Sequence, residues 1–445
     1  MGKWIVRIAS LLLIAAFLPT AVLAAEWNLE NGSIEITATA NAEGGTTQTV
    51  SQGGSSAEDS NPTITSKGKE TNNTITIKAD DGTTANVTIK DTNISTGSAA
   101  IKTEGKGNVN LNVEGTNTVS SGNKHAGVEK SNGGNLTIGS ESGEGKLTAN
   151  GGEYGAGIGG GDAQSGNDIT ITGGEIIANG GGYGAGIGGG WYGNGSDITI
   201  SGGEVTANGG RFAAGIGGGW SGNGSDITIS GGEVTANGGE AGAGIGGGYL
   251  HSGNDITISG GEVNATGGTT GAGIGGGFNG DASDIAISKD SQVEAKGGAA
   301  NGISDWGASI GCGGNYNGTP GEEVSPDTSG LYTTGKVERK SGDGTVLDTI
   351  VGTVSASSEE PDKREPLYRV LNLDGSTLKH QAETADGVLT LTAKADGAIL
   401  TGTLRALGYL QNQGIEKITF TDGTHSAELV LADLIAKGQP GDVYV

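Results

Sequence analysis

The sequence predicts an all-β protein built on a parallel β-helix, a solenoid of about eight three-strand coils, followed by a small α+β domain. Three observations carry this. The phrase D-I-T-I begins at Asp168, Asp197, Asp226 and Asp255 and returns as D-I-A-I at Asp284, a step of 29 residues each time. A fixed period in this range marks a repeat architecture. Within each period apolar residues recur every second position, the rhythm of a strand. Glycine sits between the strands, where turns need positive φ.

The elements follow in order. Residues 1–24 read as a signal peptide: Lys3 and Arg7 are the positive region, Ile8 to Leu18 the apolar run, and Val22-Leu23-Ala24 the cleavage site. The run is too short for a membrane span, and Pro19 interrupts it. The expectation is a secreted or extracellular chain, cell-surface associated or free, with no membrane insertion once the signal is removed. Residues 25–86 are expected to form an N-terminal β region and cap.

The repeats span 87–318. A second phrase, G-A-G-I-G-G-G, centres on Ile158, Ile187, Ile216, Ile245 and Ile274, again 29 apart. Between the two phrases lies a short apolar segment centred on Ile176, Val205, Val234 and Val263. Weaker copies at Val87/Ile89, Val109/Leu111 and Leu136/Ile138 bring the count to eight. Ile198 and Ile200 should face in, with Thr199 and Ser201 out; Val205 and Ala207 in, with Thr206 and Asn208 out. Residues 319–354 suggest a β-hairpin turning near Ser341-Gly342-Asp343-Gly344. Residues 355–366 (SASSEEPDKREP) read as a charged linker. Residues 367–445 read as strand, strand, helix, strand, helix. A helix face of Leu404, Leu407 and Leu410 ends at Gly414, a strand covers Ile415 to Thr421, and a second helix covers Ala427 to Ala436.

Composition excludes several functions. Of 445 residues 92 are Gly, and the net charge is −25. Nucleic-acid binding needs a basic footprint, the opposite of this. The single Cys312 excludes a disulfide framework and a cysteine zinc site, and the four histidines lack ligand spacing.

In a coil stack, a repeated residue becomes a ladder. Two ladders are aromatic: Trp191, Trp220, Tyr249 and Phe278, each following Gly-Gly-Gly, and Tyr154, Tyr183 and Phe212. Stacked rings staple a turn; rows of rings also offer a platform to a polysaccharide chain. Two ladders are acidic: Asp168, Asp197, Asp226, Asp255 and Asp284, and Glu175, Glu204, Glu233 and Glu262. Carboxylates in register repel and need compensation. Asp capping its own turn is the favoured reading, and Ca²⁺ held by the five aspartates is the alternative. A Thr/Ser ladder (Thr170/Thr172, Thr199/Ser201, Thr228/Ser230, Thr257/Ser259) is ordinary solvated strand surface, with ice binding as a remote alternative.

Catalysis finds little support. Between Thr148 and Ser288 the only basic residue is Arg211, too little for a lyase base with its charge neutralisers. A hydrolase needs two carboxylates in different environments, whereas these are repeated copies, and no repeat is expected to gain a polar cluster of its own. Nucleophile-elbow, zinc and phosphate-loop motifs are missing from the sequence.

The phrases G-A-G-I-G-G-G, D-I-T-I-S-G-G and E-V-T-A-N-G-G resemble a repeat of large secreted and surface proteins of Gram-positive, often gut-dwelling, bacteria. The resemblance covers about Val87 to Gly314. It implies a parallel β-helix and a carbohydrate-binding or adhesin-like role, and it brings no defined set of functional residues. The resulting expectation is a non-enzymatic binding protein whose partner is a polysaccharide or cell-surface glycan. The alternatives are a purely structural envelope spacer, and a polysaccharide lyase or glycoside hydrolase on the same scaffold.

Overall fold

The computed structural model describes residues 26–41, 44–298 and 306–354 and, discontinuously, parts of 368–444. The expected leader and the linker 355–366 lie outside the described residues.

The chain winds as a parallel β-solenoid. One face is a ten-stranded sheet running from Glu26–Asn28 through Gly195–Ile200 to Ala282–Ile287, with every pairing parallel. A second face stacks Ile34–Ala40 through Ile216–Gly217 to Ile310–Gly311. A third stacks Glu70–Thr71 through Glu204–Asn208 to Lys336–Lys340. The 29-residue period reappears as register: Ile198 pairs with Ile227, Val205 with Val234 and Ile216 with Ile245.

The alternation works as expected in the core. Ile198, Ile200, Val205, Ala207 and Ile216 are all buried, and their copies join one continuous core along the solenoid. A single coil could not bury them; the stack does.

The number of turns corrects the sequence count. Strands at Glu26–Asn28 and Thr63–Thr65 precede the eight marked by the phrases, so the first sheet has ten strands. These early turns escaped notice because an antiparallel hairpin, Thr46–Gln52 with Ser55–Glu58, is inserted between them and destroys the period. The hairpin covers the edge of Ile34–Ala40. Gln48 locks it, donating from Nε2 to the carbonyls of Asp59 and Asn86 at 2.9 Å each.

The far end is closed differently. Glu323 accepts hydrogen bonds from Ser309 N and Oγ, both 2.7 Å, and from Ile310 N at 3.3 Å, and it pairs with Arg339. It thereby satisfies N–H groups on the last strand of the second face. Leu331 and Tyr332 are fully buried beneath the terminal turn. Val346–Val351 folds back antiparallel on Lys336–Lys340.

Asn208 lies on the outward side of its strand as expected, where it bonds to its copies. Asn179, Asn208 and Asn237 are half-buried, each donating from Nδ2 to the Oδ1 of its predecessor (Asn150, Asn179 and Asn208) at 2.8, 2.8 and 2.9 Å. An amide is both donor and acceptor, so a column of identical side chains satisfies itself.

The C-terminal residues form a three-stranded and a four-stranded sheet with a separate apolar core that includes Leu407, Leu410, Ile418 and Phe420. Lys417–Thr421 is a strand, within the span read as one. The second predicted helix is overturned at its start: Ser426–Val430 is a strand paired antiparallel to Lys417–Thr421. The dipeptide Asp422-Gly423 between them is a hairpin signal that the helical reading passed over. Leu407, Leu410, Gln411, Leu431 and Ala432 have helical backbone, while Leu404 and residues 433–436 lie outside the described residues.

Glycine at Gly217 is demanded twice. Its φ is +128°, and a Cβ there would run into the carbonyl of Gly246 on the next coil. Gly143 has φ +75° but open space around it. Gly143→Ala should therefore cost only the left-handed penalty, about 1–2 kcal/mol, and Gly217→Ala clearly more, with loss of the next coil's register. Thermal midpoints by circular dichroism compare the two; equal shifts would show that close coil approach is not what selects glycine here.

Candidate functional site

Both aromatic rows lie where the second face turns. Tyr154, Tyr183 and Phe212 precede that face, and Trp191, Trp220, Tyr249 and Phe278 follow it. The backbone stitches one row to the other across coils. Trp191 N–H donates to the carbonyl of Tyr154 at 2.8 Å, Trp220 N–H to Tyr183 at 2.9 Å and Tyr249 N–H to Phe212 at 2.9 Å. Rings that are 37 residues apart in the chain are thereby made neighbours.

Within each row the rings are nearly parallel. Tyr154–Tyr183 and Tyr183–Phe212 have centroids 5.5 and 5.7 Å apart. Trp191–Trp220, Trp220–Tyr249 and Tyr249–Phe278 lie 5.8, 6.4 and 5.6 Å apart. The distances exceed the strand spacing of about 4.8 Å, so the rings are slipped. Between rows they meet tilted or edge-on, as in Tyr154–Trp191 at 5.2 Å and Phe212–Tyr249 at 5.9 Å. The seven predicted rings thus form one half-buried stripe along the solenoid. Two further residues extend it. Tyr192, 53% exposed, packs 4.4 Å from Trp191. Tyr316, 64% exposed, sits edge-on to Phe278 and shares a hydroxyl hydrogen bond with Tyr249. Crowding by Tyr154, Tyr192 and Trp220 seals Trp191 Nε1 from solvent without a hydrogen-bond partner.

The stripe has chemically distinct limits. At its N-terminal end the same stitch continues, Asp162 N–H to the Lys124 carbonyl at 2.7 Å, but the side chains are an ion pair at 3.2 Å rather than rings. Towards the other end the inner row loses its ring: the position after Phe212 is Ala241. Arg211 leans over Phe212, 5.1 Å from the ring centre, and its Nε donates to Glu240 at 2.8 Å.

One polar cluster contradicts the expectation that no repeat departs from the others. Glu129 stands in register with Gly159. Its side chain is only 3% exposed; it meets His125 Nδ1 at 2.7 Å and Lys102 Nζ at 4.0 Å. Beside it Lys130 is buried and donates to the Asn132 carbonyl at 2.6 Å. Burial pushes its ammonium below the usual lysine range, and the charge of Asp168 pulls the other way. Asn132 donates to the carbonyls of Gly107 and Gly134 and accepts from Thr103 Oγ1 at 2.8 Å. These groups satisfy one another, so the cluster serves as a buried joint between irregular coils. The available signal was Glu129 itself, standing where later copies have glycine.

The aspartate ladder has a backbone explanation. Asp168, Asp197, Asp226, Asp255 and Asp284 are exposed, and their φ values lie between +52° and +54°. The strand pairing skips them: Ser196 pairs with Ser225 and Ile198 with Ile227, so Asp197 and Asp226 lie opposite each other outside the ladder, both in the left-handed conformation. Aspartate is among the few non-glycine residues that tolerate this conformation. No hydrogen bond to these carboxylates is found among the described residues, so the turn-capping reading gives way to a conformational one. Among the described residues no three His, Cys, Asp or Glu side chains converge on a common point. Asp226→Asn or Asp226→Gly should leave the thermal midpoint unchanged or higher, and Asp226→Val should cost about 1–2 kcal/mol. Melts with and without excess calcium provide the check; a calcium-dependent rise that Asp226→Asn removes would establish a metal role instead.

No curated protein and no solved structure matches the chain. A family model, the Beta helix repeat, matches residues 142–162, 169–191, 198–220, 227–249 and 256–278. These are the turns that carry the aromatic rows, and over them the chain is similar to the Beta helix repeat, wound as a parallel β-solenoid.

Proposed function

We propose that the protein is a secreted or cell-surface, non-enzymatic binding protein that holds a polysaccharide or cell-surface glycan along its aromatic stripe. The observation that carries this is the union of both rows into one half-exposed band parallel to the solenoid axis, so that an extended chain could follow it ring by ring. The resemblance of the repeat phrases to those of carbohydrate-binding or adhesin-like surface proteins of Gram-positive bacteria supports the same reading. A non-catalytic role is favoured by the equivalence of the carboxylates: Glu204, Glu233 and Glu262 occupy one register position in three successive coils and are all exposed.

One observation favours a second reading, a structural spacer. Rings within a row lie at 12–16° to one another, so much of each ring face is turned to a neighbour rather than to solvent. Each stacked pair stabilises the turn by about 0.5–1.5 kcal/mol.

A glycan array separates the two. The mature chain should be retained on a subset of glycans. The triple variant Trp191→Ala, Trp220→Ala, Tyr249→Ala should lose that retention by about tenfold or more, with its far-ultraviolet circular dichroism preserved. A wild type retained on no glycan, or a triple variant retained as well as the wild type, would remove the binding reading; a lowered melting midpoint alone would leave the spacer.

A further inference from the structure

The inner row ends at Phe212 while the outer row runs on, and the place where it ends has the form of a site. In the inner row each position is covered by its copy on the next coil: Tyr154 by Tyr183, and Tyr183 by Phe212. The copy that would cover Phe212 is Ala241, since Ile216 pairs with Ile245. The outer row continues past this point, and Phe278 N–H donates to the Ala241 carbonyl at 2.8 Å. The missing ring leaves a notch of about 280 Å³ open to solvent. Its walls are Phe212, Tyr249 and Phe278, its floor is Ala241, and its rim is Glu240, Thr269 and Thr270. It therefore combines aromatic surface with hydroxyl and carboxylate groups, the mixture that a polyhydroxylated ring requires.

We propose that the Ala241 notch is the anchoring subsite of the stripe and that it takes one pyranose unit of an uncharged glycan. This rests on the stripe being a glycan site. At about 280 Å³ the notch lies at the small end of ligand pockets, which favours one unit of a chain over a longer segment. Phe212 stacks in parallel on Tyr183 alone; its other contacts are the edge-on Tyr249 ring at 5.9 Å and the Arg211 guanidinium at 5.1 Å. The charge argues for a neutral unit. Arg211, against Phe212, is the neighbouring basic group, and Glu240 already neutralises it at 2.8 Å. The chain carries a net charge of −25, which opposes a polyanion. Thr269 and Thr270 supply uncharged hydrogen-bonding groups instead; Thr270 Oγ1 donates to the Glu240 carbonyl at 3.3 Å and keeps its acceptor capacity.

The test fills the notch. Ala241→Tyr continues the inner row over Phe212, so the variant should fold with a melting midpoint at or above that of the wild type. Its retention on neutral hexose polymers (a β-glucan and a mannan) should fall about tenfold or more. A second variant, Thr269→Ala with Thr270→Ala, keeps the notch open but strips its hydroxyls, and should weaken retention several-fold. Polygalacturonate serves as the anionic probe and should not be retained. Retention of the wild type on neutral polymers with neither variant affected would overturn the notch while leaving the stripe as a glycan site. Preferential retention on polygalacturonate would overturn the uncharged class. Absence of wild-type retention on every probe would overturn both the notch and the glycan reading.

Discussion

Each coil must lie on its copy in register, one strand spacing away, and everything else in the molecule follows from that. At about 4.8 Å between strands a side chain is nearer to its own copy than to most of its sequence neighbours. The constraint acts first on the backbone. Around Gly217 the next coil approaches so closely that its Gly246 carbonyl occupies the place of a Cβ. High glycine content would signal disorder in an aperiodic chain. Here it is what allows coils to close on one another, and the fully buried isoleucines that recur beside it supply the apolar burial.

The same constraint sorts the remaining residues by what they do to an identical neighbour. Amides bond to their copies, and Asn179, Asn208 and Asn237 form a self-satisfied column. Aromatic rings stack on their copies and make a stripe. Carboxylates repel their copies and are left where solvent screens them, as at Asp197 and Asp226. Aspartate persists there because this position needs a residue that tolerates the left-handed conformation. A repeat therefore amplifies small preferences: a conformation tolerated once must be tolerated in every coil.

How much of this was legible follows from the same physics. The three faces, their register and the inward isoleucines could be read, because exact periodicity converts sequence position into spatial position. The turns before Val87 could not, since the inserted hairpin at 46–58 breaks the period while preserving the stack. The meeting of the two aromatic rows was equally hidden: Tyr154 and Trp191 are joined by a hydrogen bond between different coils, which no spacing within one repeat displays. Glu129 and Lys130 belong to no repeated pattern, and only the packing of neighbouring coils reveals them as buried partners of His125 and Asn132. At the C-terminus, where no repeat supports the reading, local pattern alone mistook the strand Ser426–Val430 for a helix.

It follows that perfect repetition and recognition pull in different directions. A column of identical residues presents the same surface at every coil, so it can bind a polymer but cannot fix which unit sits where. Position along the axis is specified only where a column fails. The inner aromatic column fails twice, at Lys124 before Tyr154 and at Ala241 after Phe212, and the two failures differ in kind. The first exchanges rings for an ion pair in which Lys124 is neutralised by Asp162. The second removes a ring and puts nothing in its place, which opens the surface between Phe212, Tyr249 and Phe278. A solenoid that only separated two points would gain stacking energy by continuing the row through Ala241. A small residue where the inner row of rings ends, beside Phe212, Tyr249 and Phe278, is the arrangement expected where an outside group completes the stack.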